Sequence, residues 1–406
     1  MNKKTALILL SCLIGSSTYS QDDKRDKGQY MEYENEFYEE ILKSFEEDAS
    51  KKEPGKIFKM DQEGLVVPKS VDEFTRFWCN DPVSQGRTGM CWCYATISFY
   101  EAEIYRLTKQ QIKLSEIYIA YWEYIEKARE YVITRGKSHF AQGSETNAVP
   151  RMMKKYGIVP LESYSGLKSG QKYPDHSKMF DEMKHFLETT KRDNAWNEEE
   201  VLTTIRSILD YYIGEPPKSA TVNGKTMTPL EYLKNVAKIN PDDYVDFMSL
   251  MEAPYYTKAE WDVPDNWWNC DDYNNVPLDE FMNAVKKAIK DGYSIAIGGD
   301  VSESGYNALN DVAMIPTYDI PSEYIDENAR QLRFTNSSTT DDHAIHLIGY
   351  KEMGDDLWYL IKDSGSGSRN GKNPGYYFYH EDYVKLKMMT FTIHKDAVKE
   401  LLKKVK

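Results

Sequence analysis

Ser84-Gln85-Gly86-Arg87-Thr88-Gly89-Met90-Cys91-Trp92-Cys93-Tyr94-Ala95 is the stretch on which the reading of this chain turns. Gly86 and Gly89 mark a loop. From Trp92 onward apolar residues recur at helical spacing, at Ile97, Tyr100, Ile104 and Leu107. Cys91 stands at the junction. There it meets unpaired backbone N–H groups and the positive end of the helix dipole, both of which favour thiolate over thiol. The N–H of Cys91 points to where an oxyanion forms in acyl transfer, and Gln85, six residues earlier, brings a side-chain amide as a second donor. A buried structural cysteine is the plain alternative. The glutamine before it and the tryptophan directly after it favour the chemical one.

A thiolate at neutral pH needs a base. Asp341-Asp342-His343-Ala344-Ile345-His346-Leu347-Ile348-Gly349-Tyr350 supplies one at the mouth of a predicted strand. His343 opens the apolar run and is expected to face a cleft. His346, three residues on, points to the opposite face and reads as a packed core histidine. His139, His176, His185, His380 and His394 have no comparable setting. A histidine base works best when an acceptor holds its other nitrogen. Ile361-Lys362-Asp363-Ser364-Gly365, at the end of the next strand, offers Asp363. Its alternative is an ordinary turn residue, since Asp-Ser-Gly is common turn chemistry.

Outward from these residues, helices are predicted first and strands later. Helices fall at 92–108, at 114–132 with Ser115 as N-cap, at 145–156 closed by Gly157 and Pro160, at 178–190, 198–213 and 278–290. Strand-like runs follow at 293–298, 344–350, 357–362, 375–379 and 388–394. This order predicts an α+β protein with a helical lobe and a β lobe. Residues 161–270 alternate helical pieces with loops rich in Asp, Asn and Pro and read as a mainly helical insertion within a domain spanning 76–406. Trp261, Trp267 and Trp268 in this stretch are expected to form satellite cores.

Residues 1–20 read as an export signal. Lys3 and Lys4 precede an apolar core from Ala6 to Ile14, and Thr18-Tyr19-Ser20 permits cleavage before Gln21. The rival is a lipoprotein box at Leu9-Leu10-Ser11-Cys12, which would anchor Cys12 to a membrane. Residues 21–75 form an N-terminal segment, either a removable pro-region or a surface helix that lays Phe37, Ile41 and Phe45 on the body. The formal net charge of −14 argues against nucleic acid as a partner. Beyond Cys12 remain Cys79, Cys91, Cys93 and Cys270, too few for a disulfide scaffold in a chain of 406 residues. A Cys79–Cys270 bridge is open. Cys91-Trp92-Cys93 lacks zinc-type spacing, so neither metal nor cofactor is expected.

These motifs resemble the papain-like cysteine peptidases: Gln, then Cys-Trp, then a late His-Ala on a strand, then a residue before a Ser-containing turn. The resemblance extends to the bleomycin hydrolase or aminopeptidase C branch through Leu114-Ser115-Glu116-Ile117-Tyr118, Trp122, Ile125-Glu126-Lys127-Ala128, Tyr156-Gly157-Ile158-Val159-Pro160, Ala288-Ile289-Lys290-Asp291-Gly292, Ile297-Gly298-Gly299-Asp300-Val301 and Gly375-Tyr376-Tyr377. It spans roughly residues 78–400. It implies a two-lobed papain-like fold and peptide or protein substrates. Amide hydrolysis would pass through an acyl-enzyme on Cys91, with His343 as base, Asp363 orienting it and Gln85 completing the oxyanion site. It also makes oligomerisation an expectation.

Three departures qualify it. Asp363 stands where the family has Asn. Gly365 replaces a Trp that shields the Asn–His contact, which predicts a wetter and weaker contact here. Residues 395–406 end soon after the last strand, so the branch's cleft-filling C-terminal arm is not expected. The changes around Asp363 motivate a second reading, a catalytically weak or inactive papain-fold protein that binds peptides. A third is acyl transfer or amide hydrolysis on non-peptide substrates.

Overall fold

The computed structural model describes residues 25–45 and 55–406. The export signal and the rival anchor at Cys12 lie outside these residues.

The helix Cys91–Thr108 forms the middle of the helical side. Trp92, Cys93, Ile97, Phe99, Tyr100 and Ile104 are all buried, and so are Glu101 and Glu103, which pair with Lys113 and Arg106, so the helix is enclosed on nearly every side. It packs between the helix Glu116–Ile133 and the strand His343–Met353. Ser115 caps the second helix as the sequence predicts, its Oγ accepting from the Tyr118 N–H at 3.1 Å. Ala148–Tyr156 ends at Gly157, whose positive φ of 76° lets the chain turn away. Glu198–Ile213 packs on Glu116–Ile133, and Ser177–Arg192 packs on Glu198–Ile213.

The β side is one sheet. Its strands follow the order Tyr306–Asn307, Val312–Ala313, Tyr376–His380, Asp356–Lys362, His343–Met353, Ile295–Gly299, Met388–His394, Tyr244–Met248, Tyr273–Asn275 and Thr257–Ala259. At its centre His343–Met353 pairs antiparallel with both neighbours, His343 opposite Gly299 and His346 opposite Lys362. Strand alternation divides this strand between two cores. Ala344 joins the helical cluster around Ile97 and Phe99, whereas Ile345 and Leu347 pack with Phe281, Val285 and Ile289 of the helix Leu278–Lys290. The architecture is therefore α+β, with a helical lobe and a β lobe sharing one strand.

The N-terminal segment adds something local periodicity does not reveal. Its helix, Glu36–Lys43, is present and Ile41 is buried as expected. It is flanked by two strands, Gly28–Tyr33 and Gly55–Met60, which pair with each other. The segment docks on the loops around Tyr306: the Met60 N–H donates to Ser304 O at 3.0 Å and Lys59 Nζ donates to Tyr306 O at 2.8 Å. Trp261 and Trp267 are buried; Trp261 packs with Met248, Leu250 and Tyr273 in a small separate core. Cys79 and Cys270 are both free thiols, so the open bridge between them is not made. Among the described residues no helix is long and apolar enough to cross a membrane.

Candidate active site

The loop before Cys91 is held from two sides. Gly86 adopts φ +61°, and a Cβ there would stand 2.3 Å from Pro174 O, so only glycine allows this close approach. The Arg87 N–H donates to Pro174 O at 2.9 Å and the His176 N–H donates to Arg87 O at 3.2 Å. On the other side Gln85 locks to the β lobe. Its N–H donates to Ser364 O at 3.0 Å, and its Oε1 accepts from Ser364 Oγ at 2.7 Å. Its Nε2 donates to Thr88 O at 2.7 Å. These bonds fix which way the amide faces and leave one Nε2 hydrogen over, in a cavity that Gln85 lines. Met90 offers no side-chain cap to the helix that begins at Cys91, so the N–H groups of its first turn keep their capacity to hold an anion.

Across the cleft, His343 Nε2 is 2.8 Å from Asp363 Oδ1. The same oxygen accepts the Gly365 N–H at 2.7 Å. The ring's other nitrogen is left for the Cys91 sulfur, which is close enough to act on the ring. Burial alone would push the His343 imidazolium down. The Asp363 carboxylate and the Cys91 sulfur outweigh it and hold His343 well above its ordinary value. Burial likewise works to raise Asp363, but the facing His343 and the Gly365 N–H carry it below the usual carboxylate range. The structure thus brings Gln85, Cys91, His343 and Asp363 to one cleft, drawn from a loop, a helix start and two strand ends.

One sequence expectation is corrected. The His343–Asp363 contact is not wet: Asp363 is 4% exposed although residue 365 is glycine. Tyr306 supplies the cover. Its hydroxyl is 3.5 Å from Asp363 Oδ2, and its ring packs on Tyr377 and Tyr379. Arg369 braces the turn below, its Nη1 donating to Gly365 O at 2.8 Å. No sequence signal pointed to Tyr306, because it arrives from a strand of two residues some sixty positions before Asp363.

The cleft is a cavity of about 560 Å³ lined by Gln85, Thr88, Gln142, His343 and Asp363 and, from the N-terminal segment, Tyr38. That segment spans the cleft mouth. Asn35 Nδ2 donates to Ser366 Oγ at 2.9 Å on the β side, while Glu40 pairs with Lys172 and Tyr173 on the other. Among the described residues no group of His, Cys, Asp or Glu is spaced to hold a metal ion. His346 is a core residue as expected, with Nδ1 2.8 Å from Ser98 Oγ.

Cys93 faces away from the cleft. It is fully buried, its Sγ donates to Glu116 O at 3.3 Å, and burial pushes its thiol well up. Cys93→Ser is therefore expected to leave hydrolysis by the parent protein largely unchanged, measured as kcat/KM on any cleaved peptide. Loss of turnover in a folded Cys93→Ser protein would contradict this placement.

A thiol at the start of a buried helix and a carboxylate-held histidine on an adjoining sheet form an arrangement able to carry out nucleophilic acyl transfer. The model of the Peptidase C1-like family matches residues 137–406, and the chain belongs to that family, the papain-like cysteine peptidases. It is 22% identical over 374 residues to Aminopeptidase C of Listeria monocytogenes, covering 81% of this chain and 84% of the relative. Aminopeptidase C of Streptococcus thermophilus is 22% identical over 316 residues, covering 66% and 70%. The crystal structure of PepW from Lactobacillus rhamnosis superposes with a TM-score of 0.63 at 17% identity, over 81% of this chain and 85% of that one, and shows the same fold.

Proposed function

We propose that this chain is an exported cysteine peptidase that removes residues from the amino end of peptides through a thioester on Cys91. The observation that carries the catalytic reading is the 2.8 Å bond from His343 Nε2 to Asp363 Oδ1, with the Cys91 sulfur near enough to act on the same ring. Likeness to proteins named Aminopeptidase C supports the amino-end specificity. Lys3, Lys4 and the apolar run from Ala6 to Ile14 support export.

In this reading the Cys91 thiolate attacks the scissile carbonyl. The resulting oxyanion accepts from the Cys91 N–H and the spare Nε2 hydrogen of Gln85. His343, as imidazolium, gives its proton to the leaving amine when the C–N bond breaks, and the acyl group stays on sulfur. A water then attacks the thioester while His343 takes its proton. The carboxylic acid product leaves, and the thiolate–imidazolium pair is restored. Asp363 accepts from His343 Nε2 throughout and keeps the other nitrogen toward sulfur.

Alkylation tests the nucleophile. Burial pushes the thiols of Cys79, Cys93 and Cys270 up, so iodoacetamide at neutral pH is expected to label Cys91 first. Peptide hydrolysis should fall in step with that single modification, followed by peptide mapping. Full turnover after stoichiometric labelling of Cys91 would remove it from the mechanism.

A further inference from the structure

A second cavity, of about 460 Å³, adjoins the cleft and takes no part in the chemistry above. Its outer wall is the strand pair Gly28–Tyr33 and Gly55–Met60. Met31 lies directly opposite Ile57, and Tyr33 follows two residues on, so strand alternation turns all three to one face. That face is half-buried, whereas Tyr30, on the other face, is 75% exposed. None of the three joins an apolar core of the protein. They line the cavity instead, together with Ala308 and Tyr377 of the β lobe. Polar contacts tie this wall to the body. Lys59 Nζ donates to the Glu303 and Tyr306 carbonyls at 3.1 and 2.8 Å, and Tyr33 Oη accepts from Asn370 Nδ2 at 3.2 Å.

The two cavities meet at Tyr306 and Gly367, which line both. The space there is open: a Cβ added at Gly367 would meet only the Tyr377 hydroxyl, at 3.5 Å. The backbone that leads to this junction passes the imidazole. A Cβ at Gly365 would stand 3.6 Å from His343 Cε1, the carbon between the two ring nitrogens. Asp363 occupies Nε2, so the proton for a leaving amine comes from the ring's other nitrogen, and the departing part of a substrate lies along this stretch of backbone. Aromatic and aliphatic side chains supply most of the second cavity's wall, with rings from Tyr33, Tyr306 and Tyr377. Tyr377 is fully buried and its hydroxyl has no partner at hydrogen-bond distance, which leaves one polar group for a polar ring edge.

We propose that this second cavity receives the side chain of one of the two residues that follow the cleaved bond, and that it selects an aromatic one. The proposal rests on the reading of Cys91 and His343 as the reacting pair and deepens it: the substrates are peptides with an aromatic residue just after the residue removed. It also makes the strand pair of the N-terminal segment a working wall of the site rather than a region to be shed.

The test follows cleavage of two peptide series by chromatography and mass spectrometry. One series varies the two residues after the bond cut, alanine against tryptophan; the other varies the residue before it. Their kcat/KM is measured for the parent, Ile57→Trp and Ala308→Leu, which fill the second cavity from opposite walls. Binding of the same peptides is measured by calorimetry in a Cys91→Ala background, with and without each filling substitution. The parent is expected to favour tryptophan after the bond by roughly 30-fold, the scale of taking one aromatic side chain out of water. In either filling variant that ratio should fall close to one, with binding to Cys91→Ala protein changing in parallel. A preference confined to the residue before the bond, or one that both filling variants keep, overturns the pocket. Cys91-dependent turnover indifferent to the residues after the bond overturns the pocket and leaves the catalytic reading standing. Tryptophan-selective binding that the filling substitutions abolish, in a protein without turnover, does the reverse.

Discussion

Cys91→Ala is expected to lower peptide hydrolysis by on the order of 10⁴- to 10⁶-fold, the range seen when a nucleophile is deleted from a covalent mechanism. The fold should survive. Cys91 is only partly buried and is not part of either main core, so the unfolding free energy should stay within about 0.5 kcal/mol of the parent's. Cys91→Ser should be almost as inactive, because the hydroxyl keeps the shape but His343 cannot hold it ionised at neutral pH. A second consequence is visible without substrate. The sulfur is one of the groups that hold His343 up, so His343 should titrate at lower pH in Cys91→Ala protein, followed by imidazole NMR. Substantial residual turnover in a folded Cys91→Ala protein would refute the acyl-enzyme.

The second large effect concerns Asp363. Asp363→Ala removes the carboxylate on His343 Nε2 and leaves the buried imidazolium without its carboxylate partner. Breaking one side of such a pair typically costs about 3–5 kcal/mol, and turnover should fall on the order of 100-fold or more as the ring loses its orientation. Asp363→Asn keeps an acceptor on that nitrogen and should retain most of the activity. Its pH profile should move. Burial works to lower His343, and the Asp363 charge is the largest influence opposing it, so neutralising that charge lowers His343. The alkaline limb, where the imidazolium is lost, should then shift to lower pH.

Stability obeys the same sign. The raised His343 contributes stability that is fully present below its unfolded value of 6.5 and lost as pH rises through the folded one. The lowered Asp363 contributes stability present above its unfolded value of 3.8 and lost as pH falls through the folded one. The parent should therefore exceed Asp363→Asn in urea midpoint most clearly between these limits. Superimposable pH–rate curves would mean that Asp363 does not govern His343.

Local patterns in the chain foretold more of the helical side than of its surroundings. Ser115 and Gly157 announce helix ends because a cap is decided within a turn of chain. The helices 198–213 and 278–290 were predicted with the bounds observed. His343 and Asp363 were readable because each sits where an apolar run meets turn residues, and strand alternation separates His343 from His346. Tyr306 was not readable: its bearing on Asp363 comes from a two-residue strand placed by sheet order, which periodicity does not encode. The same holds for the pairing of Gly28–Tyr33 with Gly55–Met60 across the helix they flank. In each of these cases the missing information is long-range contact.

The span of the N-terminal segment across the cleft mouth also bears on the order in which the molecule is made. The Phe37 N–H bonds to Asn370 Oδ1 across a separation of 333 residues, and the Asp26 N–H to Thr317 Oγ1 across 291. The thiol is synthesised well before its histidine and the docking loops. A nascent chain therefore carries Cys91 for some time with no base beside it. In the proposed mechanism the growing polypeptide stays chemically silent until the strand that bears His343 has been made.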